Sequence, residues 1–167
     1  MPQGPAARTT DNVAHPLPPV LTVGPGSLNV LIGFLPAWRG IPLAAVAALT
    51  AAKTAADTAV KTAEAATVAA AGTPGAPAAY AAEQTAKGAA LASMSSAIMG
   101  AAGAGADIHT CATPSPVPPH GPGVVIDGSA TVQINFLPAC RLGDTILEAL
   151  GPPNKIVKGE MTVIIGG

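Results

Sequence analysis

Large aromatic side chains are almost missing from this 167-residue chain, which has only Phe34, Phe136, Trp38 and Tyr80, 2% of the sequence. Apolar residues make up 49%, but much of that share is alanine. A core built from this set is small, and small cores call for a staple such as a metal, a disulfide or a partner. Charge is equally scarce: 10% of residues carry it and the net charge is −1. No basic surface is therefore available for a nucleic-acid backbone, and nucleic acid is not an expected partner. The N-terminal MPQGPAARTT has Arg8 but no apolar stretch behind it, so no secretory signal is expected and synthesis is expected in the cytoplasm. Only two cysteines are present, Cys111 and Cys140. In that compartment two thiols, or one thiolate on a metal, are expected ahead of a disulfide.

What is present divides into three pieces. Residues 1–42 are rich in Pro and Gly, residues 43–106 are dominated by Ala, and residues 107–167 return to Pro, Gly and β-branched residues. The length suits one domain carrying an insertion. Leu43 to about Ala71 has no Pro or Gly, and Ala is the best helix former. Lys53, Asp57, Lys61 and Glu64 are spaced four, four and three apart, an ion-paired stripe on one helix face. Gly72-Thr-Pro-Gly-Ala-Pro77 supplies a stop and a turn. A second helix is expected from about Ala78 to Ala102, with Leu91, Met94 and Ile98 on one seam. The two would pack through their Ala faces as an antiparallel hairpin, each arm roughly 35–45 Å long at ~1.5 Å per residue. Gly88 to Ala106 holds 19 residues without a charge. Its large apolar groups are only Leu91, Met94, Ile98 and Met99, against four Gly and three Ser, so a soluble hairpin is expected rather than a membrane span.

The outer pieces contain a repeat. Gly26-Ser-Leu-Asn-Val-Leu-Ile-Gly-Phe-Leu-Pro-Ala-Trp-Arg39 aligns without gaps to Gly128-Ser-Ala-Thr-Val-Gln-Ile-Asn-Phe-Leu-Pro-Ala-Cys-Arg141, with nine of fourteen positions identical. A shorter copy, Gly159-Glu-Met-Thr-Val-Ile-Ile-Gly166, closes the chain. Each copy carries a Val and an Ile two apart (Val30/Ile32, Val132/Ile134, Val163/Ile165), the spacing that puts both on one face of a strand. Apolar strands Val20–Val23, Val124–Ile126 and Lys155–Val157 precede the copies, linked by Gly24-Pro25-Gly26, Asp127-Gly128 and Lys158-Gly159. Asp-Gly is a strong hairpin signal. The expected fold is therefore mainly β: a small pseudo-threefold cone of three β-hairpins built from residues 1–42 and 107–167, with an antiparallel α-helical hairpin, residues 43–106, inserted between the first and second.

Pro-Ala-x-Arg occurs three times, as Pro5-Ala-Ala-Arg8, Pro36-Ala-Trp-Arg39 and Pro138-Ala-Cys-Arg141. The first continues to Asp11 and the last to Asp144, each three residues after its Arg, so Arg and Asp can pair at a tight corner. These residues read as scaffold. The three histidines, His15, His109 and His120, each sit in a loop next to an expected hairpin, and three such loops would meet at one end of the threefold cone. Loop-borne N and S ligands in a small protein form closed tetrahedral zinc sites, and no spare side chain is poised as a base or nucleophile. A structural Zn2+ held by His15, His109 and His120 is the reading, and an enzyme is not expected. For the fourth ligand Cys111, two residues from His109, is favoured. Cys140 and Glu148 are the alternatives, the latter because it follows Arg141 by seven residues as His15 follows Arg8.

Together, the Pro-Ala-x-Arg corners, the Gly-Ser-x-x-Val-x-Ile copies and the Asp107-x-His109…Pro-His120 loops resemble PAAR-repeat proteins over residues 1–42 and 107–167. Ala6-Ala-Arg-x-x-Asp-x-x-x-His15 is similar to a segment that completes the metal site in some effectors of that family. The resemblance implies a tip protein that caps the trimeric, valine-glycine-repeat spike of type VI secretion systems and related contractile injection machines. Its base would dock on the spike and its metal-bound point would lead. It also implies bacterial cytoplasm before assembly, export with the spike on firing, and membrane contact only during injection. Many members carry toxins behind the tip; this chain ends at Gly167, directly after its last copy, and no toxin is expected. Many place a Cys where this chain has Ile146-Leu-Glu148-Ala. The Ala-rich hairpin lies outside the resemblance, and its expected roles are binding an effector or chaperone, docking on the spike's flank, or perturbing membranes.

Overall fold

A computed structural model describes residues 3–14, 20–22, 24–111 and 119–167. The Ala-rich piece folds as two long helices, α1 (Leu43–Ala70) and α2 (Ala76–Ala102). Among the described residues the rest forms ten short strands in four small sheets: β1 (Gly4–Ala6), β2 (Leu31–Ile32), β3 (Leu35–Pro36), β4 (His109–Cys111), β5 (Gly121–Val125), β6 (Gln133–Ile134), β7 (Leu137–Pro138), β8 (Thr145–Glu148), β9 (Asn154–Lys155) and β10 (Glu160–Ile165). The fold is therefore mixed α and β, which corrects the expectation of a mainly-β cone. The physical reason is visible in the segments. The alanine piece contributes the longest elements, while prolines, which lack an N–H for the ladder, lie in β1, β3 and β7, strands of two or three residues.

The expected hairpins are also corrected. Asp127-Gly128 does not join a pair of strands, because β5 and β6 lie in different sheets. The Asp127 carboxylate instead accepts from the Thr145 hydroxyl at 2.7 Å and the Thr145 N–H at 2.5 Å. The real turns lie inside the repeats. Leu31↔Pro36 and Ile32↔Leu35 pair around Gly33-Phe34, and Gln133↔Pro138 and Ile134↔Leu137 pair around Asn135-Phe136. All four turn residues have positive φ, the signature of a two-residue type I′ turn. The third copy, β10, finds its partner at the other end of the chain in β1, with Gly4↔Ile165 and Pro5↔Ile164.

A closed ring joins the three Pro-Ala-x-Arg segments. The Ala7 N–H donates to Cys140 O at 2.9 Å, the Cys140 N–H to Trp38 O at 3.1 Å, and the Trp38 N–H to Ala7 O at 2.9 Å. Bridges Ala6↔Arg141, Arg39↔Ala139 and Arg8↔Ala37 complete the same cycle. The ring separates two cores. The first alanine of each segment (Ala6, Ala37, Ala139) packs with Ile32, Ile134 and Ile165. The next residue (Ala7, Trp38, Cys140) packs with Val13, Leu21, Val125, Ile146 and Ile156.

The three arginines lock the ring with one repeated geometry. The backbone N–H of Arg8, Arg39 and Arg141 donates to a carboxylate at 2.8 Å each, from Asp11, Asp107 and Asp144, and each guanidinium grips the same carboxylate. Arg39 has no Asp three residues on. Its partner Asp107 arrives after the helices, so the hairpin is inserted inside the corner itself. At its root, Leu49, Met94, Ile98 and Ala102 pack against Ile41, Val124, Leu137, Leu147 and Ala149. Farther out, Lys87 of α2 pairs with Glu83 at 2.6 Å and reaches Glu64 of α1 at 2.9 Å. Of the stripe expected on α1, Lys53 pairs with Asp57.

Candidate metal centre

Strands β4, β5, β8 and β9 form one antiparallel sheet in that order. Its two faces have different tasks. Val124 and Leu147 point to the helices, while Val125 and Ile146 point to the core beneath the ring. His109 stands opposite Gly123, and Gly123 stands opposite Glu148, so these three positions share a face. Cys111, two residues from His109, shares it too. The middle strand presents glycines here: Gly123 between His109 and Glu148, and Gly121 opposite Cys111. A Cβ on Gly123 would lie 2.9 Å from Glu148 Cγ and 2.9 Å from Ile146 Cγ2. The missing side chain is what lets two flanking strands send their polar groups into one space.

That space gathers an imidazole nitrogen of His109, the Sγ of Cys111 and a carboxylate oxygen of Glu148, all within 4.8 Å of one another. The three residues are 1%, 2% and 0% exposed. This group could hold a metal ion. One nitrogen, one sulfur and one carboxylate oxygen suit a tetrahedral divalent site, and a bound cation would offset the desolvation of a buried carboxylate. Around them, Glu148 Oε2 lies 2.9 Å from His120 Nδ1. Its Oε1 accepts from Asn154 Nδ2 at 3.3 Å and lies 3.7 Å from His109 Nε2.

The structure thus brings together His109, Cys111 and Glu148, with His120 touching the carboxylate. His15 lies outside the described residues. Cys140 is in a different place, fully buried under the ring beside Trp38 and Ile146. Burial first, and then the nearby carboxylates of Asp144, Asp107 and Asp127, push its thiol well above the ordinary value. A thiol held that way is a packing group rather than a metal ligand. No disulfide joins Cys111 and Cys140. Sequence reasoning missed Asn154 and the two glycines. His120-Gly-Pro-Gly123 carried a usable signal, since a glycine inside a strand marks a place where neighbouring groups come close to the backbone.

Comparison with family models, curated proteins and solved structures finds no match to this chain. The likeness to PAAR-repeat proteins accordingly rests on the residues quoted above.

Proposed function

We propose that this chain is the tip piece of a contractile injection machine, seated on a trimeric spike and stiffened by a structural zinc ion. The observation that carries the proposal is the hydrogen-bonded ring, in which three like segments of one chain bond to one another in a closed cycle. A single polypeptide with threefold internal symmetry can offer each subunit of a trimer the same contact. The repeats on one side of that ring are apolar and exposed at Leu28, Leu31, Phe34, Phe136, Met161 and Ile164. Phe34 and Phe136 stand out, at φ +67° and +65° and 95% and 93% exposed. An aromatic residue held at positive φ costs about 1 kcal/mol or more and is kept where it has work to do. The candidate metal group lies on the other side of the ring, beside Ile146 and Val125, so a docking side and a metal side would be opposed. Burial of that group supports a structural ion rather than a reactive one, because no substrate could reach it. In this reading the chain is made in the bacterial cytoplasm and leaves with the spike.

Two measurements test it. Elemental analysis should find about one zinc per chain, lost from Cys111→Ala, Glu148→Ala and His109→Ala; a metal-free wild type overturns the zinc. Gly123→Ala should empty the site as fully as a ligand change. Mass photometry with a trimeric β-helical spike protein should give one chain per trimer, abolished by Phe34→Glu with Phe136→Glu. Absence of a complex at micromolar concentration overturns the tip assignment.

A second reading makes the helices the active part, as an effector that perturbs membranes. It is favoured by α1, which by length and composition is apolar enough to cross a bilayer and is mostly unburied in the fold. Flotation of the full chain with anionic liposomes would support it, and recovery of all protein at the bottom of the gradient would sink it.

A further inference from the structure

Lys53 is an unusual residue to find buried. It lies on α1 and is only 5% exposed. Burying an ammonium group carries a large desolvation cost unless every donor is engaged. Its Nζ pairs with Asp57 one turn along and donates to the backbone carbonyl of Gly151 at 3.0 Å. Gly151 is the residue against which the His120 ring rests: a Cβ there would fall 2.8 Å from His120 Nε2 and 2.9 Å from its Cε1. Gly151 also has φ +77°, so both its conformation and its bareness serve this contact. The neighbouring Leu150 N–H donates to His120 O at 3.0 Å, and the other ring nitrogen of His120 meets Glu148 at 2.9 Å. Contacts therefore run without a break from α1 to the carboxylate of the candidate metal group.

The second helix reaches the same place by another route. A Cβ on Gly121 would lie 2.7 Å from Leu91 Cδ1. Gly121 follows His120 in the chain and stands opposite Cys111 in the sheet. Both arms of the hairpin thus press on the backbone that carries or faces the donor atoms, one beside Glu148 and His120, the other beside Cys111.

We infer that Lys53 is a positioning residue of the metal centre, and that metal occupancy and seating of the helical hairpin are linked. The inference rests on reading His109, Cys111 and Glu148 as a metal site, and it gives the inserted helices a part in that site. By linkage the effect is reciprocal: whatever the metal adds to the seating of the hairpin, the seated hairpin adds to metal affinity.

The test uses zinc itself, titrated into the full-length metal-free chain against a chromophoric chelator, with wild type beside Lys53→Met and Lys53→Arg. Methionine keeps the stem and removes the donors; arginine keeps the charge and donors. Groups behind the ligands commonly change metal affinity by about 10- to 100-fold, so Lys53→Met should weaken zinc binding about tenfold and Lys53→Arg should restore part of it. Hydrogen exchange on wild type alone covers the event that Lys53→Met fails to fold. Zinc should slow exchange about tenfold at Leu49–Asp57 and Leu91–Ile98 while leaving the far end, Val68–Tyr80, unchanged. Equal zinc affinity in Lys53→Met, or no zinc-dependent protection at the hairpin root, overturns the linkage while the metal site stands. Failure of wild type to bind zinc overturns both.

Discussion

Two of the three Arg–Asp corners close within four residues, Arg8 to Asp11 and Arg141 to Asp144, whereas Arg39 meets its aspartate 68 positions later. The finished geometry hardly differs. In all three the arginine N–H to carboxylate distance is 2.8 Å, and the guanidinium contacts to that aspartate start at 3.0–3.1 Å. A flexible link of that length in place of three residues would cost on the order of 3 kcal/mol in closure entropy. The inserted piece avoids most of this cost by being stiff. Two antiparallel helices joined by a short turn return the chain to its starting point, and the link at Asp107 behaves as a short one. A corner that needs only its two ends can therefore accept a long insertion, provided the insertion is a closed unit.

The largest effect should come from deleting the insertion. Removing residues 42–106 would join Ile41 to Asp107 and give Arg39-Gly-Ile-Asp, the spacing of the other two corners. If corner geometry were the whole account, the shortened chain would fold as well as the full one. The root of the hairpin predicts otherwise, because it covers Val124, Leu147 and Leu137. Uncovering three such side chains at about 2 kcal/mol each removes on the order of 6 kcal/mol. We expect an aggregating product, rescued by Val124→Thr with Leu147→Thr. Circular dichroism and size-exclusion chromatography would decide, and a soluble, cooperative deletion without rescue would mean that the helices contribute no core.

A smaller effect, still several kcal/mol, separates the corners from one another. Asp107→Ala strands a buried Arg39 and removes an ion pair that ties the hairpin's exit to the ring. About 4 kcal/mol is expected, in the range for breaking a buried pair. Asp11→Ala should cost less, because Arg8 retains Glu160. Urea denaturation of the two variants compares them directly. Equal losses would show that the split corner bears no extra load.

How much of this was legible beforehand follows from which interactions are local. The helices could be read because alanine runs and the Gly72–Pro77 break act over neighbouring residues. The threefold repeat could be read because identity is retained from Gly26–Arg39 to Gly128–Arg141. Pairing could not. Asp127-Gly128 looks like a hairpin turn, but Thr145 takes the aspartate, and Gly33-Phe34 and Asn135-Phe136 bend at positive φ although Phe carries no local signal for it. Arg39–Asp107 was hidden by distance along the chain. At the metal group, His109, Cys111 and Glu148 were each visible as donors. What brings them together is the bare backbone at Gly123 between His109 and Glu148, a feature of register that a linear reading does not display.

The smallest effect concerns the corner that nothing interrupts. Burial lifts the Asp144 carboxyl to about 6, from an ordinary value of 3.8, against the opposing hydrogen bonds and charge of Arg141. Between those two values the folded state holds a proton that the unfolded chain has released, so at this corner acidification from pH 6 to pH 4 adds stability, a rise back through pH 6 withdraws it, and at higher pH the slope vanishes. Asp144→Asn mimics the protonated form and should remove that slope. The variant should gain up to about 1 kcal/mol at pH 7.5, since the asparagine amide avoids much of the desolvation the carboxylate suffers. Metal-free protein is needed, because zinc binding is itself pH-dependent and would add its own slope. Urea midpoints at pH 4.5, 6 and 7.5 for wild type and Asp144→Asn then read the corner alone. A wild type that loses stability in step with the variant on acidification would show that Arg141, and not burial, sets the ionisation of Asp144.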